Sequence, residues 1–394
     1  MNSLVASRAA ISAIFFVCGF AFAVWASRIP AIKEHLGLNV GEFGLVLLGM
    51  PIGLVFSMQL TGWGIARLGS KWVNMAASVA YCLVLPLLAL APNGWALAAV
   101  LFAFGFTQAA MDISMNAQAV ELGKRYSRPI MSSFHALFSL GGLVGAGLGS
   151  VAAALSVTPL PFFSLMMVVS LLIVLVSFRY LVETPLEPGG VHFAWPKGVL
   201  LGLGLILFCT GLGEGAMVDW AAVFMRQVMG SSEAVAALAF SVFSVSMVIG
   251  RLTGDWFTHR FGPVRLARGS GIVAIAGLLA LVLAPQPWVA LLGFLLTGFG
   301  FCSLFPLVFS AAGKVPGINP GVALASVATL GYMGFLTGPP LIGLIGHASS
   351  LQVSFAVLMV LMLVIPLWAG LLDVERGASS QGRGEQTAGE KLSG

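Results

Sequence analysis

The sequence predicts an all-α integral membrane protein, with twelve transmembrane helices in two pseudo-symmetric six-helix bundles. The first indication is composition, because 59% of the 394 residues are apolar and only 8% are charged. Soluble domains carry about 25% charged residues, so this chain cannot cover a surface that faces water. The second is the recurrence of apolar runs of about 20 residues, the length that crosses a hydrocarbon core of about 30 Å. Helices follow because lipid cannot satisfy backbone polar groups and the runs lack the alternation of barrel strands.

The predicted spans follow one another from the first residues almost to the end of the chain. The first is too long, and too closely followed by the second, to be a removable secretory signal. The twelve spans are predicted at 9–30, 41–62, 72–91, 95–120, 130–155, 159–181, 198–225, 234–254, 269–285, 288–312, 321–347 and 351–372.

A polar interruption, "ETPLEPGGVHFAWPKG", divides these spans six and six. We therefore predict a first bundle at 1–182, a cytoplasmic linker at 183–197, a second bundle at 198–372 and a disordered polar tail at 373–394. The halves echo each other, since Trp25 and Trp220 lie 195 residues apart and Gly62 and Gly254 lie 192 apart. Such a repeat with both termini on one side is typical of transporters that rock two bundles about a midplane site.

The basic residues predict the orientation of the chain. With the N-terminus in the cytoplasm, 16 of the 19 Lys and Arg residues fall on the cytoplasmic side, and only Arg28, Lys33 and Arg226 fall outside. This asymmetry predicts that both termini are cytoplasmic. It also accounts for the net charge of +5 without a nucleic-acid partner, because no basic stripe with interleaved aromatic residues is present.

Carboxyl groups inside the apolar spans are the strongest functional signal. Asp112 lies within the fourth span, with Gln108 and Asn116 one turn to either side on the same stripe. Glu214 lies near the middle of the seventh span, and Asp219 follows about 7.5 Å further along at about 1.5 Å per residue. A charge at the bilayer centre costs at least about 2.5–3.5 kcal/mol, so these acids require a reason. The alternative is that they bond neighbouring helices; Asp219 could instead pair with Arg226 or Arg28.

Three further residues have two interpretations each. His135, near the start of the fifth span, is either a proton relay or a hydrogen-bonded packing residue. Trp25 and Trp220, near the outer ends of the first and seventh spans, either face the lipid headgroups or stack on a solute in a cavity.

The sequence argues against an enzyme, a cofactor and a metal site. It has no GxxxxGK[ST] loop for phosphate binding. No recognisable nucleophile, base and orienting residue converge, and no His, Cys and carboxylate cluster has metal-ligand spacing. Transport, or ligand sensing without transport, is left; the short tail, the chain's only appendage, argues against sensing.

The segment "GRLTGDWFTHRFGPVRLAR", at 250–268, carries a resemblance to a known family. It resembles the signature loop of the major facilitator superfamily, in which glycines allow a tight turn and an acid pairs with basic residues at a cytoplasmic gate. The matching positions are Gly250, Arg251, Gly254, Asp255, Arg260, Gly262 and Arg265. The equivalent after the second span keeps Gly62, Arg67 and Gly69, but Trp63 or Gly64 stands in place of the acid.

A closer resemblance covers nearly the whole chain. Motifs such as "WASRIPAIKE", "DISMNAQAVE" and "GEGAMVDW" are similar to the MosC/YbjJ-like facilitators and, more distantly, to fucose permeases. The resemblance implies the major facilitator fold, a monomer in a bacterial inner (plasma) membrane, and a central cavity lined by spans 1, 4, 7 and 10. It places Asp112, Glu214 and Asp219 at or near that cavity.

The resemblance implies transport of a small polar solute, sugar or cyclitol-like, by alternating access. Burial disfavours the charged form of a carboxyl group, so Asp112 and Glu214 are the candidates for proton coupling. The alternative is proton-coupled efflux of drug-like or metabolite compounds. The first span carries no acid within its apolar stretch, which weakens a fucose-like assignment.

Overall fold

The protein is described by a computed structural model covering residues 3–38, 40–183, 196–231 and 233–374. It divides into two compact units, residues 1–193 and 194–394. Residues 184–195 of the predicted linker and 375–394 of the predicted tail lie outside the described residues.

Both units are built from α-helices. The first contains α1 (Ser3–Ser27), α2 (Ile29–His35), α3 (Val40–Leu47), α4 (Gly49–Leu68), α5 (Ser70–Val84), α6 (Leu87–Leu90), α7 (Gly94–Gly123), α8 (Met131–Ala154) and α9 (Pro159–Phe178). The second contains α10 (Val199–Gln227), α11 (Glu233–Phe261), α12 (Pro263–Val282), α13 (Pro287–Phe301), α14 (Leu304–Ala312), α15 (Pro320–Ala348), α16 (Leu351–Leu361), α17 (Val364–Trp368) and a short 3₁₀ turn at Ala369–Leu372.

The helix starts follow local sequence signals. Oδ1 of Asn93 accepts a hydrogen bond from the main-chain nitrogen of Ala96 at 2.9 Å, which satisfies an otherwise free donor at the start of α7. Pro159 and Pro263 begin α9 and α12, where a missing N–H costs nothing.

Twelve helical segments among the described residues are long and apolar enough to cross a membrane, which confirms the predicted number of spans. Several boundaries differ from the prediction. The second span runs over Leu45–Leu68 and the ninth over Pro263–Val282, instead of 41–62 and 269–285. The ninth was predicted to begin after Arg268, whereas α12 includes Arg265 and Arg268 and begins directly after Gly262.

Close glycine contacts join the first and fifth spans of each unit. A β-carbon at Gly141 of α8 would lie 2.9 Å from the carbonyl carbon of Phe16 in α1. A β-carbon at Gly334 of α15 would lie 2.9 Å from the carbonyl carbon of Phe208 in α10. Only glycine permits this approach, and small residues are how helices pack closely in lipid. The two contacts are 193 residues apart at the glycine and 192 at the phenylalanine, in agreement with the internal repeat.

The second and fourth spans repeat a contact of the same kind. A β-carbon at Gly105 of α7 would lie 2.8 Å from the carbonyl carbon of Met50 in α4. At Gly298 of α13 it would lie 2.5 Å from the carbonyl oxygen of Phe243 in α11. Both residues of the pair shift by 193, so the two units share their internal helix packing.

The turns that follow the second and eighth spans also match. Gly69 has φ 79° and ψ 153°, and Gly262, 193 residues later, has φ 78° and ψ 160°. A side chain is strained at such positive φ values, so glycine is required at both turns. The segment 250–268, interpreted above as a loop, is therefore two helices joined at Gly262, and Arg251 and Arg265 lie within α11 and α12.

Hydrogen bonds hold the chain end of the first unit in place. Nε2 of the buried Gln118 in α7 donates to the main-chain oxygen of Val182 and to Oγ of Ser70, both at 2.7 Å. Its Oε1 accepts from the main-chain nitrogen of Val182, also at 2.7 Å. Beside this clamp, Nζ of Lys71 lies 2.6 Å from a carboxylate oxygen of Glu183.

Candidate functional site

A hydrogen-bonded chain of three polar side chains links α7 to α8 in the first unit. Nδ2 of Asn116 donates to the main-chain oxygen of Asp112 at 2.9 Å and to its carboxylate Oδ1 at 3.2 Å. Nε2 of His135 lies 3.2 Å from Oδ1 of Asn116. Asp112 and His135 are each 8% exposed and Asn116 is 1% exposed. The fold thus gathers an acid, an amide and an imidazole in one buried cluster.

The direction of these hydrogen bonds fixes the hydrogen on His135. Asn116 uses its amide nitrogen on Asp112, so its oxygen is the acceptor and Nε2 of His135 must be the donor. The imidazole also packs edge-on against Phe15 of α1, with ring centroids 5.3 Å apart. His135 is therefore hydrogen-bonded, which agrees with its interpretation as a packing residue. Its role as a proton relay stays a prediction.

Gln108 extends the same stripe by one turn. Its side chain is half-buried, and its Oε1 atom is buried without a hydrogen-bond partner among the described residues. A buried acceptor without a donor is costly, and such atoms are where a ligand is expected to bind. The stripe predicted from the spacing of Gln108, Asp112 and Asn116 thus combines a bonded segment with an open acceptor.

In the second unit, Glu214 of α10 faces a cation. Nη2 of Arg251 in α11 lies 3.7 Å from Oε2 of Glu214, which is close enough for an ion pair but too long for a hydrogen bond. Glu214 is 8% exposed, and its Oε1 is buried with no hydrogen-bond partner in the described part of the chain. The carboxylate therefore has strong electrostatic support and an unused acceptor.

Apolar and thiol groups surround this ion pair. Gly213, next to Glu214, leaves room for the buried ring of Phe301; a β-carbon there would lie 2.5 Å from Cζ of that ring. Next to Arg251, Gly250 leaves room for Cys302, whose thiol donates to the main-chain oxygen of Phe299 at 3.0 Å. Little water reaches these groups, which strengthens the attraction between the two charges.

Sequence reasoning missed the pairing of Arg251 with Glu214. It assigned Arg251 to the gate with Arg260, but Arg251 lies 11 residues before the turn at Gly262, about 16 Å along a helix at about 1.5 Å per residue. That depth was the available signal, since a cation so far inside a span needs a partner. The coupling argument for Glu214 considered only its burial, and the structure adds a cation beside the carboxylate.

The remaining candidates for the substrate cavity, Asp219, Trp25 and Trp220, differ in how far they are exposed. Asp219 is exposed and forms no ion pair with Arg226 among the described residues, where Arg226 donates to the main-chain oxygen of Ser231 at 3.1 Å. Trp25 is only 1% exposed, which excludes the headgroup-facing alternative at that position. The Trp220 ring lies against Gly343 of α15, where a β-carbon would approach Cζ2 to 2.9 Å.

Among the residues of the predicted gate, Arg67, Arg260 and Arg265 flank the glycine turns, whereas Gly250 and Arg251 lie further back in α11. Arg67 and Arg260 are exposed, and Arg67 lies over the ring of Trp63 at 4.9 Å from its centroid. Arg265 is exposed, whereas Asp255 is half-buried and Gly62, Gly250 and Gly254 are buried. The gate itself stays a prediction. Within the described ranges, no group of three or more His, Cys, Asp and Glu side chains could hold a metal ion.

Comparison with known proteins defines the class to which this fold belongs. The family model of the major facilitator superfamily matches residues 11–332 and 203–394. The chain therefore belongs to this superfamily of membrane transporters; it is an integral membrane protein and not an enzyme.

Individual relatives support the same assignment. An uncharacterized MFS-type transporter of Yersinia pestis is 36% identical over 89% of this chain and 92% of its own length. The membrane protein MosC of Rhizobium meliloti is 31% identical over 87% of this chain and 84% of its own length. The crystal structure of the E. coli fucose:proton symporter superposes with a TM-score of 0.78, over 94% of this chain and all of that one. Its 16% sequence identity limits that likeness to the fold.

Proposed function

We propose that the protein transports a small polar solute, sugar or cyclitol-like, by alternating access and in symport with protons. The observation that carries the proposal is the buried chain of Asp112, Asn116 and His135. Carboxylate, amide and imidazole groups bind solute hydroxyls, and two of the three also accept a proton. In a membrane span, such groups are functional by default.

In this mechanism the Asp112 carboxylate binds the proton and the solute. Asn116 holds the carboxylate by its Oδ1 atom. A proton on Asp112 removes the cost of a buried charge while the site moves between the two sides of the membrane. Gln108 supplies an acceptor for a solute hydroxyl one turn away.

Glu214 and Arg251 form the second part of the proposed mechanism. The unpartnered Oε1 of Glu214 is available to a solute hydroxyl. The positive charge of Arg251 stabilises the ionised form of the Glu214 carboxylate. Loading and unloading of a proton would change the strength of this pair, and so bias the second unit between two states. Transport by a monomer in the inner membrane, with both termini in the cytoplasm, completes the proposal. The 16 basic residues assigned to the cytoplasmic side in this topology support the orientation of the termini.

Proton flux in proteoliposomes tests this function. Vesicles that contain a pH-sensitive dye are challenged with sugars, cyclitols, amino sugars and cationic drugs, for the wild type, Asp112→Asn and Glu214→Gln. Glu121→Gln is the matched control, because Glu121 lies in the same helix as Asp112 but pairs at 2.7 Å with the exposed Lys124.

We expect solute-dependent proton entry in the wild type and in Glu121→Gln, and its loss in Asp112→Asn. Solute-dependent proton movement that persists in Asp112→Asn and Glu214→Gln would refute the coupling mechanism. Activity confined to cationic drugs would favour the efflux alternative. Solute counterflow that survives in Asp112→Asn would show that this residue couples the proton without binding the solute.

A further inference from the structure

A second polar site lies at the end of the first unit where α1 ends, away from the cluster described above. A cavity of about 480 Å³ is lined there by α2, by α6 with the residue after it, and by the turn between α8 and α9. Its walls are mainly apolar and include Ile32, Leu88, Ala91 and Leu160. Cavities of this size are large enough for a small ligand.

One buried cation lines this cavity. Arg28 follows the last residue of α1 and is only 6% exposed. Its Nη2 donates to the main-chain oxygen of Val157 at 2.7 Å. Its Nε and Nη1 are buried and have no hydrogen-bond partner among the described residues, and no carboxylate there lies within 4.0 Å of the guanidinium.

The unused donors of Arg28 require an acceptor. A guanidinium stays protonated at all accessible pH values, so it cannot become neutral to relieve its burial. A buried charge without a counter-charge is strongly unfavourable. The chain nevertheless fixes Arg28 in this position through Val157, and a bound anion would supply the missing charge.

The backbone around Val157 is shaped to hold the guanidinium. Ser156 has φ 56°, the left-handed region that non-glycine residues seldom adopt. The main-chain nitrogens of Ser156 and Val157 donate to the oxygens of Ala153 and Ala152, which closes the end of α8 as a Schellman motif. This turn leaves the carbonyl of Val157 free to accept from Arg28.

We infer that this cavity, named here the Arg28 pocket, binds the oxyanion of an amphiphile: a carboxylate or phosphate group carried on an apolar body. The guanidinium supplies charge-assisted hydrogen bonds to the oxyanion, and the apolar walls hold the rest of the molecule. Glu34 also lines the pocket, but it is exposed to solvent and lies beyond ion-pair distance of Arg28. The pocket lies at the ends of membrane spans, so either a membrane lipid or a soluble amphiphile can reach it.

Binding is measured as thermal stabilisation of the purified full-length protein. The soluble probes are laurate and inorganic phosphate; the lipid probes are nanodiscs of phosphatidylglycerol and of neutral phosphatidylcholine. Arg28→Gln removes the charge, and Ala31→Trp fills the pocket while Arg28 stays in place. Lys33→Gln is the matched control, because it removes a charge from the same short helix outside the pocket lining.

We expect the wild type and Lys33→Gln to be stabilised by laurate or by phosphatidylglycerol, and not by phosphatidylcholine. Arg28→Gln should bind the active probe at least about tenfold more weakly, because the charge-assisted hydrogen bonds to the oxyanion are lost. Ala31→Trp should weaken binding at least about tenfold as well, because the added ring occupies the space of the apolar body. Stabilisation by phosphatidylglycerol alone identifies a lipid headgroup, and stabilisation by laurate, with competition by phosphate, identifies a soluble amphiphile.

The inference is overturned if neither anionic probe stabilises the wild type, if phosphatidylcholine acts equally well, or if Ala31→Trp responds like the wild type. If Arg28→Gln does not fold, Ala31→Trp decides the question. These readouts involve no proton flux, so they are independent of the proposed transport function.

Discussion

Helix packing is the same in the two units, whereas the buried polar residues are not. Gly141 and Gly334 make equivalent backbone contacts 193 residues apart. By the same offset, Asp112 corresponds to Phe305 and His135 to Ala328. The offset from α1 to α10 is 192, so Glu214 corresponds to Phe22. The offset from α4 to α11 is 193, so Arg251 corresponds to Met58. Each unit therefore carries its own polar group where the other is apolar. The difference teaches that the repeat supplies a scaffold, and that chemistry was placed on it separately in each half.

The two polar groups also differ in how far they are satisfied. In the first unit, Asn116 bonds both of its neighbours, Asp112 and His135. In the second, Glu214 and Arg251 lie 3.7 Å apart and Oε1 of Glu214 has no partner among the described residues. Hydrogen bonds such as those of Asn116 make a buried network rigid, whereas an unpaired buried atom such as Oε1 of Glu214 carries a cost that a ligand can relieve. We expect the second unit to respond more strongly to a bound ligand.

The largest expected effect concerns the shared packing. Gly141→Val and Gly334→Val should each abolish production of folded protein, because the added side chain would meet the backbone of the facing helix. Overpacking against movable side chains costs about 1–3 kcal/mol, and backbone has less freedom to retreat. The measurement is the yield of the monodisperse protein on size-exclusion chromatography.

Gly147→Val is the control for this pair, since Gly147 lies in the same helix as Gly141 and has open space around it. It should be produced like the wild type. If valine were tolerated at only one of Gly141 and Gly334, the two units would not depend equally on their glycine contacts.

The next effect concerns the ion pair of the second unit. Glu214→Gln should destabilise the protein by up to about 3 kcal/mol, the lower end of the cost of breaking a buried pair. Arg251→Gln should cost less, because a carboxylate without its cation can take up a proton, whereas a guanidinium cannot lose one. Thermal unfolding of the two variants and of the double variant gives the coupling energy.

Equal losses in the two single variants would mean that this proton uptake does not occur, which would also weaken the proposed role of Glu214. A double variant as unstable as the sum of the two singles would show that the pair contributes no coupling.

A smaller effect is expected in the first unit. Asn116→Ala removes the link between Asp112 and His135, and it leaves Nε2 of His135 without its acceptor, at a cost of about 1–3 kcal/mol. Adding His135→Ala should recover part of the loss, since removing both partners is less costly than removing one. Unfolding temperatures and solute transport are measured together. No recovery of stability in the double variant would show that Asn116 acts through packing alone.

Much of the fold could be predicted from the sequence because the composition of each short stretch indicates a membrane-spanning helix. Hydropathy predicted the number of spans, because each span depends on residues close in sequence. The repeat was predicted as well, but the separations of Trp25 from Trp220 and of Gly62 from Gly254, 195 and 192, differ from the offsets of 192 and 193 that the helix contacts give. The boundaries could not be predicted as well, because α11 and α12 continue through charged residues up to the turn at Gly262.

The site was predictable in part for the same reason. The stripe of Gln108, Asp112 and Asn116 follows from helical spacing within one span. The contacts of Asn116 with His135 and of Glu214 with Arg251 join different helices, so they depend on tertiary packing. The Arg28 pocket also needs three separate segments of the first unit, and no single stretch of sequence indicates it.

The smallest expected effect is at the exposed end of the first unit. Glu183 is 73% exposed in its pair with Lys71, and surface pairs contribute about 0–1 kcal/mol. Glu183→Gln should therefore leave the unfolding temperature nearly unchanged at low and high salt. Gln118→Leu should lower it clearly, because this buried amide makes three hydrogen bonds and corresponds to Ala311 in the second unit. If Glu183→Gln destabilised the protein as much as Gln118→Leu, the charged pair and not the amide would hold the end of the first unit.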